Sequence, residues 1–258
     1  MGKVIRSQLF ELKKSRVLYI FGVGVLVIGL AISWMCIEWT ETKTVSEYIA
    51  AMNGLTMSSL FVIVLIAVIT GSVCAGDFPD KTINHEITSG TLRKDSFFGR
   101  AVIAIAVSTI SAILIITADI TIMTLIYGWG DTVTLGSAVK RISLLVFPCF
   151  KFSCFCVLLS FIIKQPYAPV LASILINIVT ALISHLPKIM IFIMSYLNAG
   201  KICVYNNYCT YGLNTDPWFI YDESIDPKLL AGTIVASVLL GVAYLLFGYH
   251  YFRKDDLN

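Results

Sequence analysis

Nearly uncharged stretches of about 20 residues recur along this chain, and no other feature restricts its possible folds so strongly. A helix rises 1.5 Å per residue, so each stretch can cross a bilayer core of about 30 Å. The apolar runs cover residues 17–37, 55–74, 101–127, 144–163, 167–183 and 229–252. Composition extends the point to the whole chain: 57% of residues are hydrophobic and 14% charged, where soluble domains carry about 25% charge. The expected fold is all-α, a single polytopic membrane domain over residues 1–258 with six transmembrane helices. The first run is longer than a signal-peptide core and follows an amphipathic preface, so it reads as a retained span.

Six crossings put both termini on one side, and the basic residues say which. Residues 1–16, 75–100, 164–166 and 253–258 hold twelve of the 19 Lys and Arg. The opposite side holds Lys43, Lys140, Arg141, Lys188, Lys201 and Lys228 over a longer total length. The positive-inside rule then makes both termini cytoplasmic. Trp34, Trp39, Trp129 and Trp218 fall at or beyond the outer interface, where aromatic anchors belong.

The N-terminal stretch MGKVIRSQLFELKKSRVLY places Val4, Leu9, Leu12 and Val17 roughly on one helical side, with Lys3, Arg6, Lys13, Lys14 and Arg16 over the rest. That pattern suits a helix lying at the cytoplasmic interface. Thr44-Val45-Ser46-Glu47 is a capping-box pattern, so the second helix can start outside the membrane and break at Asn53-Gly54. Asp226-Pro227 supplies an N-cap and a first-turn proline for the last span. Residues 184–228 form the largest external region, beginning with an apolar segment that either lies on the outer leaflet or prolongs the fifth span. Cys36, Cys74, Cys149, Cys154 and Cys156 fall in or near the spans as small hydrophobes. Cys203 and Cys209 share the external region and are a possible external disulfide. No Cys/His spacing resembles a metal site.

One long polar stretch interrupts the grease: DFPDKTINHEITSGTLRKDSFFGR, residues 77–100. Asp80 after Pro79 is a plausible N-cap, Ile83 and Ile87 share a face, and Gly90 stands where a left-handed C-cap would sit. The reading is a short helix from Lys81 to Ser89, with Thr82, Asn84, His85 and Glu86 on its wetter sides. Asp95 or Ser96 could cap the third span, and Arg100 would meet the inner head groups. A linker needs only a few residues, so a capped helix here reads either as a docking element or as a solvated linker with incidental spacing.

This run resembles the loop between the second and third spans of type-2 ATP-binding cassette exporter permeases. The likeness is greatest to six-span subunits linked to bacitracin or lantibiotic immunity and to export of amphipathic peptides such as phenol-soluble modulins. Asp77, Phe78, Thr82, Ile83, Asn84, Glu86, Gly90, Arg93, Gly99 and Arg100 carry the resemblance. It implies that residues 81–89 are a coupling helix seated on a separate nucleotide-binding subunit. The ATPase-coupling residues would be Asp80, Thr82, Ile83, Asn84, His85, Glu86, Ile87, Gly90 and Arg93. The implied setting is a bacterial plasma membrane, with two ATPase copies and a second permease copy, identical or related. The implied cargo is an amphipathic or antimicrobial peptide, and no nucleic acid is involved. The chain has no G-x-x-x-x-G-K-[ST] run, since Gly2-Lys3 and Gly200-Lys201 are followed by Val4 and Ile202. It therefore cannot cradle ATP phosphates itself, so no cofactor is expected on this chain, and ATP and Mg2+ would be held by the partner.

Asp119 and Lys151 are ionisable residues deep within spans. Counted from the outer ends of their runs they sit at similar depth, so they are a possible ion pair or a polar lining of the pathway. An ion-coupled secondary transporter using Asp119 as carrier is the main alternative; it calls for inverted repeats and broken helices, which are not evident. An intramembrane hydrolase would need a nucleophile and base at reachable depth, and no such pattern occurs.

Overall fold

The structure is a computed structural model that describes residues 2–39, 42–51, 58–132, 134–183, 204–205, 208–209 and 227–254. It is a helical, membrane-embedded protein. Four helices are long and apolar enough to cross a membrane by length and composition: Leu18–Glu38, Arg93–Tyr127, Val146–Ile163 and Ile234–Lys254. Val62–Ala75 is a shorter apolar helix.

Helix α1 (Gly2–Lys14) is separated from α2 (Arg16–Trp39) by Ser15 alone. A seven-residue helix, α3 (Val45–Ala51), precedes α4 (Ser58–Ala75). The capping box at its start forms with one shift: Thr44 Oγ1 accepts from the Glu47 amide at 3.4 Å, but Glu47 Oε2 reaches the Lys43 amide at 3.0 Å. The expected break at Asn53-Gly54 lies outside the described residues. Then come α5 (Thr82–Thr88), the long α6 (Arg93–Tyr127), α7 (Leu135–Leu144), α8 (Val146–Ile163) and α9 (Ala168–Ile183). The last helix, α10 (Pro227–Lys254), begins on its proline as anticipated; Asp226 lies outside the described residues. A two-residue antiparallel ladder pairs Val204 with Cys209 and Tyr205 with Tyr208. Cys203, with which Cys209 could form the possible external disulfide, lies outside the described residues, as does most of the region 184–228.

Helix directions follow from the contacts. Phe97 near the start of α6 meets Phe161 near the end of α8, with ring centroids 4.5 Å apart. Further along, Ser108 and Ser153 share a 2.8 Å hydrogen bond, so α6 and α8 run antiparallel. Helices α8 and α10 run the same way: Gly241 faces Phe150, Gly248 faces Leu158, and Phe252 packs edge-on against Phe161. Helices α2 and α6 are also parallel, because α1 sits at the start of α6 while Ser33 meets Asp119 and Ile37 packs beside Met123. Helix α4 is buried by α2, α6, α8 and α9.

Two close approaches depend on glycine. A Cβ on Gly71 would stand 2.1 Å from the Pro166 carbonyl oxygen, and one on Gly241 would stand 2.5 Å from the Phe150 ring. Without a side chain, α4 can press on the α8–α9 turn and α10 on α8, the small-residue contact that membrane helices favour. At the end of the bundle carrying α5, Phe78, Phe97, Phe161 and Phe252 form an aromatic cluster that also buries Ile83.

Candidate functional site

The polar stretch 77–100 folds at that aromatic end. The turn after α4 is closed by backbone bonds from Gly76 to Ser72, Phe78 to Ala75 and Lys81 to Phe78. Lys81 adopts a left-handed conformation with φ 54°, and α5 starts after it. Asp80 is therefore not the N-cap. The Thr82 amide bonds instead to the Asp77 carbonyl at 3.1 Å, so the preceding turn satisfies a donor that a side-chain cap would have taken. Asp80 is exposed.

The other end of α5 closes as anticipated. Gly90 has φ 98°, its amide bonds to the Ile87 carbonyl, and the Thr91 amide bonds to the Glu86 carbonyl. This is a Schellman motif, and glycine takes the left-handed position without a Cβ penalty. The start of α6 differs from expectation. It begins at Arg93 behind an extended Leu92, so Asp95 and Ser96 lie inside its first turns and do not cap it.

The faces of α5 are sharply divided. Ile83 is fully buried in the aromatic cluster, and Glu86 and Ile87 share its inward side. Thr82, His85 and Thr88 are exposed, while Asn84 is half-buried. Of the predicted coupling residues, then, Asp80, Thr82, His85 and Gly90 are available at the surface. Ile83, Glu86 and Ile87 hold the helix down.

Glu86 does so through Arg100. The guanidinium Nη2 donates to Glu86 Oε2 at 2.8 Å, and Nη1 pairs with Asp77 Oδ2. Gln8 of α1 donates to the same Asp77 oxygen at 3.2 Å. Arg100 is only 2% exposed, which corrects its placement among head groups: two carboxylates draw it inward, and pairing offsets the cost of burying its charge. Glu86 Oε1 and Arg100 Nε are buried without hydrogen-bond partners. One network thus ties α1, the α4–α5 turn, α5 and α6 together.

Between α1 and α5 lies an open groove of about 630 Å³, lined in part by Gln8, Glu11, Asp77, His85, Glu86 and Arg100. Burial, and then the neighbouring Asp77, push the Glu11 carboxyl above its ordinary value, while Arg100 acts in the opposite direction. Arg93 serves elsewhere. Its Nη1 donates to the carbonyls of Arg253 at 3.2 Å and Phe252 at 3.4 Å, satisfying acceptors in the last turn of α10.

Inside the bundle, Asp119 and Lys151 do not meet. Asp119 Oδ2 accepts from Ser33 of α2 at 3.1 Å, and Lys151 is fully buried in α8. The Ser108–Ser153 contact fixes the register of α6 against α8. From that level Asp119 lies 11 residues along α6 and Lys151 two residues back along α8, so they differ by about 13 Å along the bundle. Equal distance from the ends of their spans did not mean equal depth, because α6 is much the longer helix.

Neither a protein-family model nor a curated protein matches the chain. Among the described residues, no group of three or more His, Cys, Asp or Glu could hold a metal ion. The polar chemistry of the site is ionic and hydrogen-bonding, suited to holding one short helix at a fixed place and angle. Sequence reading missed Gln8 and the inward role of Asp77. Their signal was faint: a glutamine on the inward side of α1, and a carboxylate directly after the last apolar turn of α4.

Proposed function

We propose that this chain is the permease subunit of an ATP-binding cassette exporter, with α5 as the helix that receives force from a separate ATPase. The carrying observation is that α5 exposes a polar face while Ile83 and the Glu86–Arg100 pair fix its other face to the base of α6. A helix pinned at both an apolar and an ionic point moves with α6 when pushed. ATP-driven closure of two ATPases would displace two such helices and bias the paired permeases between two arrangements. ATP and Mg2+ act in the partner, and the second permease is an identical or related copy.

Six crossings suit this reading. Because α2 and α6 run parallel, the chain between them must return, and α4 provides the return. The parallel pair α8 and α10 places the same demand on α9. Their described lengths, 18 and 16 residues, correspond to about 27 and 24 Å, close to the thickness of a hydrocarbon core. With α5 at the cytoplasmic side of a bacterial plasma membrane, both ends of the chain are cytoplasmic and α1 lies along the inner surface. The proposed cargo is an amphipathic or antimicrobial peptide.

The test is co-expression with a phosphate-loop ATPase, sought first in the adjacent reading frame, followed by purification in nanodiscs. A stable complex that hydrolyses ATP faster with amphipathic peptide supports the reading; failure of any phosphate-loop ATPase to associate overturns it. A second reading, an ion-coupled transporter, draws on Asp119 Oδ1, which is buried without a hydrogen-bond partner. It requires ion-gradient-driven uptake or efflux in vesicles without ATP, abolished by Asp119→Asn.

A further inference from the structure

Helix α1 presents two unlike sides. Val4 and Gln8 are buried and Ile5 and Leu12 pack on the aromatic end of the bundle. Away from that side, Arg6, Leu9 and Lys13 follow one another at spacings of three and four along α1, and Arg16 opens α2 directly beyond Ser15; Leu9 thus leaves the apolar side on which the sequence placed it. All four are exposed, Leu9 by 48%, and no acidic residue interrupts them. The only carboxylate of α1, Glu11, lies on the groove side. Ser15 alone separates α1 from α2, a helix long and apolar enough to cross a membrane, so α1 starts next to the end of that span. Two cations on α1 and a third at the start of α2, around one exposed apolar side chain, fit a surface of anionic phospholipid head groups, where each near-surface Lys or Arg adds to the attraction.

The buried side of the same helix carries the link inward. Gln8 bonds to Asp77, Asp77 shares Arg100 with Glu86, and Glu86 belongs to α5. Contacts between α1 and α6 are extensive while α5 touches α6 sparingly, and the groove separates α1 from α5. The ionic chain is therefore the polar route by which the seating of α1 reaches α5, beside the aromatic cluster on which Ile5, Leu12, Ile83 and Ile87 all pack.

We infer that α1 is a sensor of anionic lipid, whose seating on a negatively charged bilayer surface orders α5 through Gln8, Asp77, Arg100 and Glu86. Seating on the surface fixes the tilt of α1 and with it the position of the Gln8 amide. That amide orients Asp77, and Asp77 completes the site that holds Arg100 against Glu86. The inference rests on the proposed function only in giving α5 a partner to engage. Its test uses the chain alone, so it can fail while that reading stands.

The experiment is amide hydrogen exchange on the full chain in nanodiscs of phosphatidylcholine, with and without phosphatidylglycerol. Anionic lipid is expected to slow exchange in both α1 and α5, in α5 by about fivefold, the factor carried by one net hydrogen bond. Replacing Arg6, Lys13 and Arg16 together by Gln removes both responses. Gln8→Ala keeps the response of α1 and loses that of α5. Equal exchange of wild-type α5 in the two lipids overturns the inference without recourse to any variant. So does an α5 response that survives Gln8→Ala undiminished.

Discussion

Arg100 and Glu86 stand 14 residues apart in the chain and 2.8 Å apart in space, nitrogen to oxygen. That contact turns a short surface helix into part of the bundle, because Arg100 is itself buried within α6. Removing the guanidinium leaves Asp77 and Glu86 as uncompensated carboxylates with side chains only 20% exposed. Arg100→Met is expected to cost about 3 kcal/mol and to speed amide exchange over α5 before the rest of the bundle. Thermal unfolding in detergent, with peptide-resolved exchange, checks both the size and the location.

Ile83 is the other pin. Its side chain is fully buried among Phe78, Phe97 and Phe252, so Ile83→Ala costs about 2–4 kcal/mol through lost transfer energy and a cavity. His85→Ala, on the exposed side of the same helix, stays within about 0.5 kcal/mol of wild type. Denaturation midpoints of the two variants measured side by side should differ accordingly.

The glycines make a matched pair. Gly71→Ala drives a methyl into the Pro166 carbonyl, whereas a Cβ at Gly24 meets nothing within 4 Å. The first substitution is expected to destabilise by about 1–3 kcal/mol. Gly24→Ala raises the unfolding midpoint slightly, since alanine forfeits less freedom in a helix, by about 0.5–1 kcal/mol. Midpoints moving in opposite directions would bear out the packing of α4 on the α8–α9 turn.

Glu11 gives a pH dependence. Its folded-state pKa is raised above the ordinary 4.5 by burial and by Asp77, so the folded chain holds this proton more tightly than the unfolded one. The stabilising contribution is complete below the ordinary value and is lost as pH rises through the raised one. At neutral pH the ionised group opposes folding. Glu11→Gln should therefore raise the unfolding midpoint modestly at neutral pH, and the gain should disappear on acidification below 4.5.

Local signals survived into the structure where a local cause fixed them. Gly90 takes its positive φ because the last carbonyls of α5 need partners and glycine alone turns back freely. The apolar run at 144–163 became α8 within two residues, because desolvation of a whole segment leaves little choice of boundary. Tertiary pairings were harder to see. An arginine at the edge of a span looks the same whether it meets head groups or carboxylates, and the partners of Arg100 lie 14 and 23 residues away. Gln8 and Asp77 are 69 apart. The pairing of Asp119 with Lys151 failed on register, which depends on the unequal lengths of α6 and α8. Asp80 lost its cap to a backbone carbonyl, a competition invisible in residue type alone.

The central claim is that the exposed face of α5 receives an ATPase, and one measurement addresses it directly. The chain carrying both His85→Arg and Thr88→Arg is co-expressed with the same phosphate-loop ATPase and recovered by affinity to the permease, with folding monitored by its unfolding midpoint. Both positions are exposed, and His85 also borders the groove that holds Glu11, Asp77 and Glu86. The account predicts a permease that unfolds at its normal midpoint yet recovers little or no ATPase. A doubly substituted permease that binds the ATPase as well as wild type would contradict it.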